Sequence, residues 1–148
     1  MNSEMNQLEA LKTWVLVELP PNKTAIKGKW VYKIKTDKDG KIAKYKARWV
    51  VKGFTQEYGV NYLETFANTV KPEVIRILLY LATYQDYIIV QWDIKNAFVH
   101  ADIDKEIYVK QPTGYTQKMS QNSPITSQNQ IVCKLKKALY GLKQSPRL

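Results

Sequence analysis

The spacing of hydrophobic positions changes along the chain, and each spacing predicts a different element. Over Trp30-Val31-Tyr32-Lys33-Ile34-Lys35, and again over 42–51, apolar and basic residues alternate with the two-residue period of a strand. Asp37-Lys38-Asp39-Gly40 lies between them and ends on an Asp-Gly reversal signal, which predicts an antiparallel β-hairpin. In its second strand Lys44, Lys46 and Arg48 share one face, with Tyr45, Ala47, Trp49 and Val51 on the other. One side is expected to pack and the other to meet anions. Residues 53–62 read as a loop. Lys71-Pro72 then opens a helix reaching about Asp86, in which Ile75, Leu78, Leu79 and Ala82 recur at helical spacing and predict a core-facing stripe. The apolar run Tyr87 to Val90 reads as a buried strand, and Ile107-Tyr108-Val109-Lys110 as a short strand stopped by Pro112. The stretch 116–130, rich in Ser, Gln and Asn, reads as an exposed linker. Strands and a helix in this order give an α+β class.

Length and composition narrow the picture. The chain has 148 residues, 45% hydrophobic and 24% charged, which suits one globular domain. Its one cysteine, Cys133, excludes an internal disulfide framework and a cysteine-only zinc site, and it points to a reducing intracellular compartment. Cys133 itself reads as a core or strand residue. No apolar run approaches the roughly 20 residues of a membrane span, and Met1-Asn2-Ser3-Glu4 lacks the regions of a signal peptide. The expectation is a protein that is not secreted and engages no membrane.

Charge adds more once it is located. The net charge is +10, and residues 23–52 hold 11 basic side chains against Asp37 and Asp39. Residues 131–148 add five basic side chains and no acidic ones, while 86–110 carry five acidic against three basic. Two basic blocks flanking an acidic centre suit phosphate binding on either side of a cation site better than a merely solvated lysine surface. The acidic centre contains Asp93, set where the predicted strand leaves the core, and magnesium needs only one or two protein carboxylates. A strand-ending, turn-capping aspartate is the structural alternative. Asp102, Asp104 and Glu106 alternate nearby and read as a solvated turn rather than a second metal site. The Asp-x-Asp-Gly turn is not a calcium loop, because the twelfth loop position is Lys46 instead of a glutamate. His100, the single histidine, reads as a surface turn residue rather than a proton donor.

Six blocks, taken together, resemble the reverse transcriptase of Ty1/copia-type retrotransposons. They are Lys29 to Lys35, Tyr45-Lys46-Ala47-Arg48, Lys52-Gly53-Phe54-Thr55-Gln56, Asp93-Ile94-Lys95-Asn96-Ala97-Phe98, Glu106 to Val109 with Gln111-Pro112, and Leu135 to Arg147. Any one of these would be weak, but their shared order is specific. The resemblance covers roughly 8–148 and implies a partial right-hand polymerase: fingers over 8–87, the first palm strand and following segment over 88–111, a linker over 112–130, and a return toward the fingers over 131–148. Residues 1–7 are expected to be a disordered start.

The resemblance also implies roles. Asp93 matches the first catalytic, metal-binding aspartate, with the Ile94 carbonyl as a further oxygen ligand. Phe98 matches the gate that excludes a ribose 2′-hydroxyl, and Arg48 the fingers arginine over the incoming base and its phosphates. Lys46, with Lys33 and Lys35, is a candidate triphosphate contact, and Tyr140 and Gly141 begin the motif that shapes the nucleotide pocket. The implied reaction is template-directed deoxynucleotide addition with two Mg²⁺ ions, on an RNA or DNA template-primer. The enzyme would belong to a Gag-Pol-type polyprotein that also carries integrase and RNase H, working in a cytoplasmic particle or the nucleus.

Three departures temper this. No Asp-Asp pair occurs in the sequence, so the family's Tyr-x-Asp-Asp carboxylates are expected beyond Leu148, and the chain alone is expected not to polymerise. His100-Ala101 stands where the family often has Asn-Gly, and Asn68 where proline is common. The alternative function is a catalytically dead, transposon-derived remnant that keeps nucleic-acid binding through its basic hairpin, and a third expectation is a fragment that never folds stably around an unpaired edge.

Overall fold

The computed structural model describes residues 1–117 and 131–148. The elements run α1 (Asn2–Ala10), β1 (Trp14–Glu18), β2 (Gly28–Thr36), β3 (Ile42–Val51), α2 (Pro72–Tyr84), β4 (Tyr108–Lys110) and β5 (Ile131–Leu135), with single 3₁₀ turns at Gly53–Thr55 and Ala97–His100. The class is α+β with antiparallel sheets. Among the described residues no helix is long and apolar enough to cross a membrane.

The hairpin follows its alternation. β2 and β3 pair antiparallel from Gly28↔Val51 to Thr36↔Ile42, with one register shift at Lys35/Thr36. In the turn the Asp37 Oδ1 accepts the backbone N–H groups of Asp39 and Lys41, both at 2.9 Å, and Gly40 takes φ +78°. An aspartate closing its own turn and a glycine in the left-handed region are the two devices an Asp-x-Asp-Gly reversal needs.

A second sheet has the order β1-β5-β4, with β5 central and antiparallel to both neighbours. Val132, Cys133 and Leu135 of β5 are buried, so Cys133 is a strand and core residue, its thiol pushed up to about 12 by burial. Between this sheet and the root of the hairpin lies the core: Met5 and Leu8 of α1, Trp49 and Val51 of β3, Val99, Ile107, Val109, Leu135, Leu139 and Leu142.

Several elements differ from the sequence-based reading, and each difference has a physical reason. The start of the chain is α1 rather than a disordered lead: Met5 and Leu8, one helical turn apart, are buried, and Asn2 and Gln7 accept hydrogen bonds from Tyr115 and Asn96. α2 forms where predicted, with Pro72 in its first turn, but it is not a packed helix, since none of its residues is buried. The run Tyr87 to Val90 is not a strand, and all four residues are exposed. An extended segment keeps ladder geometry only when a neighbour takes its N–H and C=O groups, and no neighbour pairs with it among the described residues. Asp93 therefore lies in an irregular exposed segment instead of at the end of a buried strand.

The linker expected over 112–130 begins later than its first residues. Pro112 is fully buried and Tyr115 packs against Trp30 at 5.8 Å between ring centroids. Residues 118–130 lie outside the described residues.

Candidate nucleotide pocket

Arg48, Lys46 and Lys35 come to one cavity because they project from the same side of the hairpin. The cavity is about 420 Å³ and is also lined by Tyr140, Asp93 and Ile94. A slightly larger hollow of about 450 Å³ between α1, β1 and β5 holds none of the candidate residues. Lys33, paired across the hairpin with Lys46, does not line the cavity but an adjoining groove that shares Tyr45, Lys46 and Ala47 with it.

Tyr140 sits at the centre of this arrangement. The Arg48 guanidinium carbon stands 4.8 Å above the Tyr140 ring centroid, and Phe98 meets the same ring edge-on at 5.0 Å and 78°. A planar cation on an aromatic face is an attractive contact of about 0.5 to 2 kcal/mol, and it holds the guanidinium in one plane. The Arg48 Nε is buried without a hydrogen-bond partner. Phe98 does not itself line the cavity; it reaches the site through Tyr140.

Backbone contact fixes Tyr140 against the hairpin. Its carbonyl accepts the Val51 N–H at 2.8 Å, and the next residue, Gly141, takes φ +93°. A Cβ on Gly141 would lie 2.1 Å from the Val51 carbonyl oxygen, and a Cβ on Gly53 would lie 1.9 Å from the Gly141 carbonyl oxygen. Only glycine permits these two segments to touch. The residues that follow are held by buried amides: Gln56 Nε2 donates to Gln144 Oε1 at 3.0 Å, Gln144 Nε2 to the Asn61 carbonyl at 2.9 Å, and the Lys143 N–H to Gln56 Oε1 at 2.8 Å.

Electrostatics in the cavity is mixed. The Lys46 ammonium is held below the usual lysine range, first by desolvation and then by repulsion from Arg48 and Lys35. Glu4, carried in by α1, is 8% exposed and also lines the cavity. Burial raises its carboxyl above the usual range, against the opposing effects of a Trp49 backbone hydrogen bond and the charges of Arg48 and Lys46.

The metal donors are few. Among the described residues no group of three or more His, Cys, Asp or Glu is placed to hold a metal ion. Asp93 and the Ile94 carbonyl make a donor set that could serve one magnesium with water completing its shell, and it does not fit two. The neighbouring carboxylates are committed elsewhere: Asp102 to Lys137 at 2.8 Å, Asp104 to Arg147 at 2.7 Å, and Glu106 to Lys134 at 2.6 Å and Lys23 at 3.3 Å. His100 is an exposed turn residue whose Nε2 lies 3.2 Å from the Lys95 carbonyl.

Sequence reasoning passed over Glu4, Gln56 and Gln144. Glu4 had a usable signal, a carboxylate directly before an apolar pair at helical spacing, Met5 and Leu8. The glutamines fell inside two of the resembling blocks but were given no role, since an amide pair joined across 88 positions leaves no local pattern of its own.

Comparison with known proteins supplies the lineage. The family described as Reverse transcriptase (RNA-dependent DNA polymerase) matches residues 11–148. The retrovirus-related Pol polyprotein from transposon TNT 1-94 of Nicotiana tabacum is 46% identical over 147 residues, covering 99% of this chain and 10% of that protein. The corresponding polyprotein from transposon RE1 of Arabidopsis thaliana is 41% identical over 148 residues, again 99% of this chain and 10% of the relative. A Ty1-DR4 Gag-Pol polyprotein of Saccharomyces cerevisiae is 33% identical over 150 residues, with 97% of this chain and 8% of the relative covered. No solved structure matches. The chain thus spans about a tenth of the curated relatives it matches, and it belongs to the reverse transcriptase family of copia-type Pol polyproteins.

Proposed function

We propose that this chain is the deoxynucleotide-binding part of an RNA-directed DNA polymerase, with residues 8–87 as fingers, 88–111 as the start of the palm and 131–148 returning to the fingers. The observation that carries this reading is the stack of Arg48 on Tyr140 with Phe98 at its edge, beside a cavity that Lys46 and Asp93 also line. A planar guanidinium whose orientation is fixed by an aromatic ring presents several N–H donors in one fork, which suits the oxygens of a triphosphate. Lys46 and Lys35 add charge without directional demand. Phe98, behind Tyr140, would discriminate against a 2′-hydroxyl through the Tyr140 ring that it packs against, whose position decides the room left for the sugar.

In the intact polymerase Asp93 and the Ile94 carbonyl would hold magnesium, together with carboxylates from outside these 148 residues; the ions would supply charge neutralisation at the transferring phosphoryl group. The residues of this chain bind and orient the nucleotide. Template-primer, integrase and RNase H would be partners within the polyprotein, in a cytoplasmic particle or the nucleus.

The test is calorimetric binding of a deoxynucleoside triphosphate to the 148-residue chain, with Arg48→Ala and Tyr140→Ala as variants. Loss of the charge-assisted contacts at Arg48 should weaken binding by about tenfold or more, in keeping with roughly 1.5 to 3 kcal/mol for hydrogen bonds to charged groups. Equal affinity in all three proteins removes the nucleotide pocket. The isolated chain should incorporate no labelled deoxynucleotide; incorporation that Asp93→Ala abolishes overturns that part. The remnant reading is favoured by the exposed hairpin lysines alone, and it predicts salt-dependent binding to nucleic acid with no affinity for free nucleotide.

A further inference from the structure

Two carboxylates, Glu4 and Asp93, oppose the basic side chains that line the cavity, and of the two only Glu4 is buried. Glu4 is more than nine-tenths buried, its Oε1 has no hydrogen-bond partner, and no ion pair within 4.0 Å joins it to Arg48 or Lys46. Across the same cavity the Arg48 Nε is likewise buried and unpartnered. Leaving one buried atom on each of two oppositely charged groups without a partner in one place is costly for a folded chain and calls for an explanation. The carboxyl keeps one backbone partner, the Trp49 N–H, while α1 itself is anchored through Met5 and Leu8.

We infer that Glu4 is the resident counterion of this cavity, standing where a ligand phosphate comes to lie, and that the first turn of α1 withdraws it when phosphate binds. A carboxylate presents two oxygens to a basic cradle much as a phosphate does, but it carries one negative charge where a triphosphate carries several. The exchange therefore favours the polyphosphate, while a weakly charged anion gains too little to displace Glu4. This makes Glu4 a specificity-determining residue that sets a threshold of ligand charge. Its withdrawal acts on a defined place, since the Glu4 and Met5 N–H groups both donate to the Met1 carbonyl, at 3.0 and 3.1 Å. The inference rests on the nucleotide reading for the identity of the ligand.

The experiment is calorimetric titration of the 148-residue chain with inorganic tripolyphosphate, comparing the wild type, Glu4→Gln, Arg48→Ala and the double variant. Glu4→Gln keeps the shape and removes the charge, and it should bind about fivefold tighter, the scale of one unit charge across several ångströms at a partly solvated site. Arg48→Ala should abolish the gain. Unchanged or weaker binding by Glu4→Gln overturns the counterion role, and the nucleotide reading stands if Arg48→Ala still weakens the wild type. If binding ignores Arg48, or no protein binds, both fall. A second readout needs no variant: amide exchange at Glu4 and Met5 in the wild type should quicken when tripolyphosphate is added, and unchanged or slower exchange overturns the withdrawal.

Discussion

Replacing Gly141 with alanine tests whether the contact between the return segment and the hairpin determines stability. The new Cβ would meet the Val51 carbonyl oxygen at 2.1 Å and Val50 Cγ1 at 2.7 Å, and the first of these is backbone that cannot rotate away. The residue also sits at φ +93°, where an L side chain costs about 1 to 2 kcal/mol on conformation alone. Relieving the clash requires the return segment to move off β3, which sacrifices the hydrogen bond from Val51 N–H to the Tyr140 carbonyl, worth a further 0.5 to 1.5 kcal/mol or so. The two contributions, with the repacking of the adjacent core, come to roughly 3 kcal/mol. With a urea m-value of about 1 to 3 kcal/mol/M, the midpoint should fall by more than about 1 M at unchanged m. Gly40→Ala supplies the control: φ is +78° there too, but a Cβ meets nothing within 4 Å, so only the conformational part remains. If both variants lose the same stability, or Gly141→Ala loses less than about 0.5 kcal/mol, the close approach does not carry the fold.

Three further outcomes follow from the same structure. Gln144→Leu, which strips a partner from buried Gln56 and from the Asn61 carbonyl, should cost about 1 to 3 kcal/mol by urea unfolding; a neutral result means the amide network is not needed. Glu106 is held down to about 2 by hydrogen bonds from Lys134, Tyr108 and Lys23, so its contribution to stability is present above its ordinary value of 4.5 and is lost as pH falls through about 2; Glu106→Gln should flatten the acid limb of the stability profile in that window, and an unaltered limb refutes the assignment. Leu78→Ala on exposed α2 should change stability by less than about 0.5 kcal/mol, while Leu139→Ala in the core should cost about 2 to 5 kcal/mol; comparable losses in a thermal or urea titration would mean α2 is packed after all.

What could be read from the sequence was what the sequence holds locally. The hairpin carries its own alternation, turn and partner within residues 28–51, so period and turn chemistry sufficed. The helix Pro72–Tyr84 announced itself through Lys71-Pro72 and its apolar spacing, but spacing states only that a face is apolar, not that anything covers it. Tyr87 to Val90 failed for the same reason. The central sheet was missed from the other direction: β1 pairs with β5, at the opposite end of the chain, and neither five-residue strand signals its partner. α1 has no side-chain cap, and its one local signal, the Met5 and Leu8 pair at helical spacing, is weak beside its polar majority. At the site, motif resemblance located Arg48, Lys46, Asp93 and Tyr140, whereas Glu4 required the packing of α1.

These differences divide the chain along a line that matters for the proposed chemistry. Arg48, Lys46 and Tyr140 stand on the part whose core is closed within the described residues, around Trp49, Val51, Leu139 and Leu142. Asp93 stands on the other part, between the uncovered helix α2 and the 3₁₀ turn at Ala97–His100, in a stretch where Ile88 is 91% and Trp92 85% exposed. Exposed apolar surface on this scale is unfavourable in water and favours any partner that removes it. Asp93 lines the same cavity as Arg48 and Lys46, but the segment that carries it is apolar and uncovered, and metal-assisted phosphoryl transfer tolerates displacements of well under an ångström or so. On the proposed reading, nucleotide binding and metal positioning therefore depend on different parts of the molecule: the first would rest on the glycine-mediated contact between hairpin and return segment, the second on the uncovered segment that follows α2.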